Sequence, residues 1–275
     1  MNLDRVFEIY HAALQFLFAG NCDFCGRYLT ATDHRRLCQH CLLVLSDKRR
    51  EFNLRLRCGI CAHPLDIPTA KSSSSIKAKN RKNVYDRKKI CPACIETPLK
   101  VKAGNALFSN TGLAQRFCYE YKFKKHPSYA HLLAKWIVDD YSDFFSKYDA
   151  IIVVALGSRG RFERGFCQVT EVVKMVSNLL SIPFFSPIKR LGFSSQHTLG
   201  KYQRKESLAS QFFYRKKDKG IFDGKKVLIV DDICSSGATI NYFVQLIEKN
   251  NRPKSIGAFF FARTILQAYK SQDEF

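Results

Sequence analysis

At 275 residues the chain has room for one ordinary domain and a smaller companion. With 46% apolar and 13% aromatic residues it can bury a core, and no segment reads as a membrane-spanning helix, so an integral membrane class is excluded. The formal net charge of +21 points to a polyanionic partner, nucleic acid first and an anionic membrane surface second, with a merely Lys-rich surface as the plain alternative.

Residues 3–19 carry Leu3, Phe7, Tyr10, Leu14 and Leu17 at helical spacing. Asp4 and Glu8 stand where a signal peptide would be basic, and the run is too short to cross a bilayer, so a packing helix is expected.

Eight of the eleven cysteines fall in Cys-x-x-Cys pairs: Cys22/Cys25, Cys38/Cys41, Cys58/Cys61 and Cys91/Cys94. A disulfide within such a pair closes only a tiny ring, so a disulfide scaffold is disfavoured and a reducing, cytoplasmic compartment is expected. One knuckle offers a Zn²⁺ two thiolates and leaves two tetrahedral positions for a second knuckle. Four knuckles therefore make two Cys₄ sites, with no open position for catalysis. Sequential pairing joins Cys22, Cys25, Cys38 and Cys41, then Cys58, Cys61, Cys91 and Cys94; a crossed pairing remains open. Between the third and fourth knuckles, residues 71–89 are rich in Ser and Lys and poor in apolar side chains, which predicts a disordered basic insert.

From about residue 104 strand-like and helix-like segments alternate, as in an α/β sheet. Strands are expected at 149–156, 226–231 and 255–262, with a weaker one at 182–185; helices are expected at 128–141, 166–180 and 239–250. The composition divides the chain into a zinc-ribbon domain, 1–103, and an α/β domain, 104–275.

The segment Val-Leu-Ile-Val-Asp-Asp-Ile-Cys-Ser-Ser-Gly-Ala-Thr at 227–239 is the most specific string in the chain. It reads as a buried strand, two carboxylates, a small-residue loop and a helix start. Ser235, Ser236, Gly237, Ala238 and Thr239 offer amides and hydroxyls where orphan N–H groups and the helix dipole favour a phosphate. Gly237 lets the backbone approach such a ligand, and Asp231 and Asp232 can accept from a ribose diol at the strand's carboxyl end. Arg159, Arg161 and Arg164 follow the strand at 149–156, and the polar stretch 190–213, bearing Lys201 and Arg204, reads as a mobile lid or a plain surface loop.

The string resembles the signature of type I phosphoribosyltransferases. That resemblance implies a phosphoribosyltransferase-like parallel sheet flanked by helices, behind the small zinc-ribbon domain. It also implies phosphoribosyl pyrophosphate as ligand or substrate, with Mg²⁺ on its pyrophosphate. Asp231 and Asp232 would meet the ribose hydroxyls, residues 235–239 the 5′-phosphate, Arg159 and Arg164 the pyrophosphate, and Lys201 and Arg204 are the catalytic candidates. With the cysteine knuckles, the segment 121–124, Arg164-Gly165-Phe166-x-Gln168, Gln196 with Arg204, and the Phe212-Phe213 pair, the whole resembles the ComF family of competence proteins. Membership implies handling of incoming single-stranded DNA during natural transformation. Departures from the family pattern are Cys167 in place of Asn, Ser235-Ser236 in place of Thr-Thr, and Ser207 in place of an Asn after Arg204. A stacking surface is expected from Tyr119, Tyr121 and Phe123 among Lys122, Lys124 and Lys125. Two other readings of the same residues are an active phosphoribosyltransferase using a nitrogenous base, and a zinc-ribbon adaptor docking a helicase or other DNA-processing partner.

Overall fold

The computed structural model describes residues 20–30, 33, 34, 36–65, 89–123, 128–153, 168–190 and 212–265. The expected N-terminal helix at 3–19, nearly all of the basic insert, the arginines at 159, 161 and 164, and most of the lid stretch with Lys201 and Arg204 lie outside them. The chain divides into two compact units, Met1–Glu51 and Phe52–Phe275.

In the first unit, the knuckle turns of Cys22 and Cys38 lead into helix α1 (Gln39–Leu54), which continues past Glu51. This helix was not foreseen, because its cysteines dominate the pattern. Its buried positions Cys41, Leu45, Arg49 and Phe52 nevertheless recur every three or four residues, the spacing that defines one helical face. Asp33 organises the approach to the helix: its carboxylate accepts from the Gln39 amide at 2.6 Å and from the Thr30 amide at 2.7 Å.

The second unit holds the short helix α2 (Pro92–Glu96), strand β1 (Ala103–Ser109), helices α3 (Gly112–Phe123) and α4 (Ser128–Phe145), strand β2 (Ala150–Val153), helix α5 (Gln168–Leu180) and strands β3 (Phe184–Phe185), β4 (Ile188–Arg190) and β5 (Phe212–Tyr214). Strand β6 (Lys226–Cys234), helix α6 (Ala238–Asn250) and strand β7 (Ser255–Arg263) complete it. Five strands form one all-parallel sheet in the order β1-β7-β6-β2-β3, while β4 and β5 pair antiparallel as a separate ribbon. The strands and helices expected from residue 104 onward appear within the described residues, shifted at their ends; α2, β1, α3, β4 and β5 are additions.

The central strands are continuous apolar runs because both faces of the sheet are covered. Val227, Leu228, Ile229 and Val230 are all essentially solvent-free. On one face Phe108, Phe117 and Trp136 pack edge-on or tilted, and Tyr141 and Phe145 meet Phe259 with ring centroids 5.0 Å apart. On the other, α6 inserts Ile240, Phe243, Val244 and Ile247, each fully buried and contributing roughly 1.5–3 kcal/mol.

Strands β2 and β6 are hydrogen-bonded neighbours, yet the chain leaves them in opposite directions, toward β3 and toward β7. Such a reversal opens a crevice beyond the carboxyl ends of the two strands, the place where open α/β sheets take ligands. Burial along β6 falls off at Asp231, Asp232 and Ile233, where the strand emerges into that crevice.

Candidate functional site

The eight knuckle cysteines assemble as two groups, Cys22, Cys25, Cys38 and Cys41 in the first unit and Cys58, Cys61, Cys91 and Cys94 in the second. Sequential pairing is therefore the one adopted. Within each group the four sulfurs lie within 4.8 Å of one another, and Cys25–Cys38 and Cys61–Cys91 are 3.6 Å apart. A tetrahedral ion with bonds of about 2.3 Å to sulfur separates its ligands by about 3.8 Å, so both groups fit a zinc-like metal. Four protein ligands would close each site, the arrangement that suits a structural metal with no open position.

The knuckles share one backbone solution. Gly26 and Ala62, each one residue past the second cysteine of its pair, both take left-handed conformations, with φ of 75° and 60°. Their amides return to Cys22 O and Cys58 O at 2.9 Å. Burial pushes the Cys22 thiol up, but the amides of Cys38, Cys25 and Phe24 outweigh it and hold it at about 7, closer to the thiolate a metal needs. In the second group hydrogen bonds from Cys61, Cys91 and Cys94 hold Cys58 far below an ordinary thiol.

The second group is built into the sheet. Gly104 of β1 donates its amide to Gly59 O at 3.1 Å, and a Cβ there would fall 2.2 Å from Ile60 O. Arg57, wholly buried, donates to Asn105 Oδ1 at 2.8 Å and to the Tyr141 hydroxyl at 3.0 Å, with its guanidinium 4.9 Å from the Phe52 ring centre. Leu99 and Val101 then pack with these cysteines against Ile240, Phe243 and Val244 of α6.

The loop after β6 begins at Ser235, and α6 begins at Ala238. Ser235, Ser236 and Ala238 are exposed and Gly237 is buried. Gly237 caps the helix in a left-handed conformation, φ 79° and ψ 2°. The Ala238 amide reaches Ser236 Oγ at 3.4 Å, whereas the amides of Ser235, Ser236, Gly237 and Thr239 have no acceptor among the described residues. A cluster of donors thus stands at the N-terminus of a thirteen-residue helix, where the helix dipole adds a positive field. Asp231 Oδ1 accepts from the Asp232 amide at 2.9 Å, and Asp232 Oδ1 from the Ile233 amide at 2.8 Å, which orients both carboxylates at the strand end.

Three residues that sequence reading passed over hold this loop. Arg263, the last residue of β7 and 3% exposed, donates from Nη1 to Cys234 O at 2.8 Å, to Ser235 O and to Thr264 O at 3.1 Å. Burial alone would lower its pKa; the sulfurs of Cys234, Cys61 and Cys91 more than offset that and raise it. Asn241 Oδ1 accepts from the Lys100 amide at 2.7 Å, and its Nδ2 donates to Pro98 O at 3.3 Å. Leu99 lies against Gly237, so that glycine is required by this contact and by its φ as well as by any ligand. The one signal in the sequence was a lone arginine closing an apolar strand.

Of the expected site residues, Asp231, Asp232 and Ser235, Ser236, Gly237, Ala238 and Thr239 come together at the crevice, while Arg159, Arg164, Lys201 and Arg204 lie outside the described residues. The expected stacking surface changes. Tyr121 is 2% exposed and its hydroxyl donates to Gln168 O at 2.7 Å, because α3 turns that face onto the sheet unit's core; Tyr119, 55% exposed, faces outward.

A parallel sheet with a donor-rich loop and paired acids at its switch point is the arrangement of a ligand-binding α/β domain. The family described as phosphoribosyl transferase domain matches residues 123–273. The chain belongs to that family, and its relatives place it in the ComF group. It is 27% identical over 177 residues to Competence protein ComFC of Streptococcus pneumoniae, covering 58% of this chain and 74% of that one. It is 24% identical over 239 residues to DNA utilization protein YhgH of Salmonella typhimurium, covering 84% and 92%. Among solved structures it is similar to adenine phosphoribosyltransferase of Trypanosoma brucei, with a TM-score of 0.35 and 15% identity over 62% of this chain and 86% of that one. It is also similar to a purine phosphoribosyltransferase of Pyrococcus horikoshii, with a TM-score of 0.31 and 17% identity over 49% and 83%. Among the described residues no helix is long and apolar enough to cross a membrane.

Proposed function

We propose that this chain is a DNA-uptake protein of the competence type, binding single-stranded DNA and carrying a phosphoribosyl pyrophosphate site at the 231–239 crevice. The observation that carries the ligand reading is the set of amides at Ser235, Ser236, Gly237 and Thr239 with no acceptor among the described residues, at a helix N-terminus beside two oriented aspartates. In this reading those amides and the Ser235, Ser236 and Thr239 hydroxyls take the 5′-phosphate, and Asp231 and Asp232 accept from the ribose hydroxyls. Arg159 and Arg164, which follow β2 in the sequence, are assigned to the pyrophosphate. Mg²⁺ accompanying the ligand neutralises pyrophosphate charge.

The DNA part is supported by the net charge of +21, by Tyr119 standing exposed on α3, and by relatives whose names concern competence and DNA utilization. Calorimetry with phosphoribosyl pyrophosphate and Mg²⁺ tests the ligand site. Wild type should bind, and the Asp231→Ala/Asp232→Ala double variant should lose most of the affinity; equal binding by both removes the assignment.

A second reading, favoured by the family match over 123–273, is catalysis of phosphoribosyl transfer to a nitrogenous base, with Lys201 and Arg204 as candidate catalytic residues. Release of pyrophosphate only in the presence of a base would select it over simple ligand binding.

A further inference from the structure

Two separate tethers run from the second cysteine group to the loop after β6. The first is Arg263, whose guanidinium interacts electrostatically with Cys61 and Cys91 on one side and donates to the carbonyls of Cys234 and Ser235 on the other. The second leaves the group at Cys94. Five residues on, Leu99 fills the space that a Cβ on Gly237 would need, and Pro98 and Lys100 bracket it with hydrogen bonds to Asn241 in the first turn of α6. The Asn241 amide in turn donates to Gly237 O at 2.9 Å. Both ends of the loop are therefore fastened to one cluster of sulfurs.

We propose that the second Cys₄ group is the anchor of the 235–239 loop, with Arg263 as the positioning residue, so that metal held there sets the loop's affinity for a phosphate monoester. This rests on the reading of the loop as a phosphate site. Four thiolates around a divalent cation leave a net negative charge. A guanidinium that is 3% exposed needs such a counter-charge, because an uncompensated buried cation is unstable. The metal thus fixes the guanidinium, and the guanidinium fixes two carbonyls whose orientation determines where the following amides point. Neither Arg263 nor Asn241 need touch the ligand for this to hold.

The test uses the full chain, with hydrogen exchange read by mass spectrometry on peptides spanning 233–241 and on α5, metal content per chain, and titration with ribose 5-phosphate. In Arg263→Met, metal content should stay at the wild-type value, exchange at 233–241 should quicken while α5 stays protected, and ribose 5-phosphate affinity should fall about tenfold, as for other residues acting behind a ligand. Arg263→Lys, keeping the charge but not the forked donors, should fall between. If Arg263→Met does not fold, Asn241→Ala tests the second tether and should quicken the same peptide. Cys94→Ser should do so with loss of metal from its group and α5 still protected. Unchanged exchange at 233–241 in the folded Arg263 and Asn241 variants overturns the proposal. Should the loop loosen as expected while wild type binds no ribose 5-phosphate, the anchor stands and the phosphate reading alone falls.

Discussion

Leu99 packs over Gly237 so closely that a Cβ built on the glycine would lie 1.9 Å from Leu99 Cδ2. The contact joins the segment following the fourth knuckle to the cap of α6, and the glycine's φ of 79° makes the position doubly restrictive. Gly237→Ala is expected to cost about 2–5 kcal/mol, from left-handed strain and overpacking together. Leu99→Ala relieves only the second part. Urea unfolding of the two single variants and the double variant should therefore show a coupling of about 1–3 kcal/mol, and strict additivity would disprove the steric account.

Gly26 and Ala62 occupy the same place in two knuckles, yet differ in what a methyl group does there. Nothing lies within 4 Å of a Cβ built on Gly26, so Gly26→Ala isolates backbone strain and should cost about 1–2 kcal/mol. The first group should then surrender its metal to a chelating dye sooner than wild type. Ala62→Gly relieves the strain but gives up a buried methyl and loosens the unfolded chain, so its effect should lie within about 1 kcal/mol of zero. Equal metal retention by Gly26→Ala and wild type would show that the turn does not hold the knuckle.

The loop and its acids were readable because every cue is local: an apolar strand, acids at its exit, small residues, then a helix. The metal sites were readable in composition, and sequential pairing tolerates the insert between Cys61 and Cys91 because loop-closure entropy grows slowly with length. What could not be read is what holds the loop. Arg263 lies 28 residues from Ser235, and Lys100 lies 141 from Asn241; only the parallel β6–β7 pairing and the packing of 98–100 on α6 bring them together. The compositional boundary at 103/104 follows the last of the Cys-x-x-Cys pairs. The compact units instead divide between Glu51 and Phe52, and Cys58, Cys61, Cys91 and Cys94 share a core with β6 and α6. Burial of Tyr121 also depends on the face that α3 turns inward, which a mixed run of Tyr, Lys and Phe does not specify.

Gly104 carries the clearest consequence of that shared core. A methyl there meets the backbone oxygen of Ile60, at 2.2 Å, and not a side chain that can swing away. Gly104→Ala should cost about 3 kcal/mol and release metal from the second group before the first. Stepwise metal release measured through a denaturant titration checks the order; simultaneous release would contradict it.

Cys234 closes β6 just before the loop, 2% exposed, and burial with a smaller contribution from Asp231 pushes its thiol up to about 11 despite Arg263. The native state therefore keeps its proton where the unfolded chain, with an ordinary thiol of 9.0, releases it. Below about pH 9 the stabilisation is fully present, and it is lost as pH rises from there through about 11, on the order of 2–3 kcal/mol. Cys234→Ala should flatten that part of the alkaline decline relative to wild type, and at pH 8 Cys234 should resist iodoacetamide in the native chain. Rapid alkylation there would place the thiol at the surface and reverse the argument.

Single-stranded DNA is expected to bind through charge and one aromatic platform. Lys and Arg outnumber Asp and Glu by 45 to 24, so phosphate neutralisation should dominate and affinity should fall at least tenfold between about 50 and 200 mM salt. Tyr119→Ala removes an exposed ring and should cost about 1–3 kcal/mol in oligonucleotide affinity at fixed salt. Tyr121→Phe, which deletes only the hydroxyl bonded to Gln168 O, should leave DNA affinity as it was and lower stability by about 1 kcal/mol. Fluorescence anisotropy with a labelled oligonucleotide, run on both variants across the salt range, separates stacking from charge. If Tyr119→Ala binds like wild type while the salt dependence persists, the DNA lies on another basic surface and α3 takes no part.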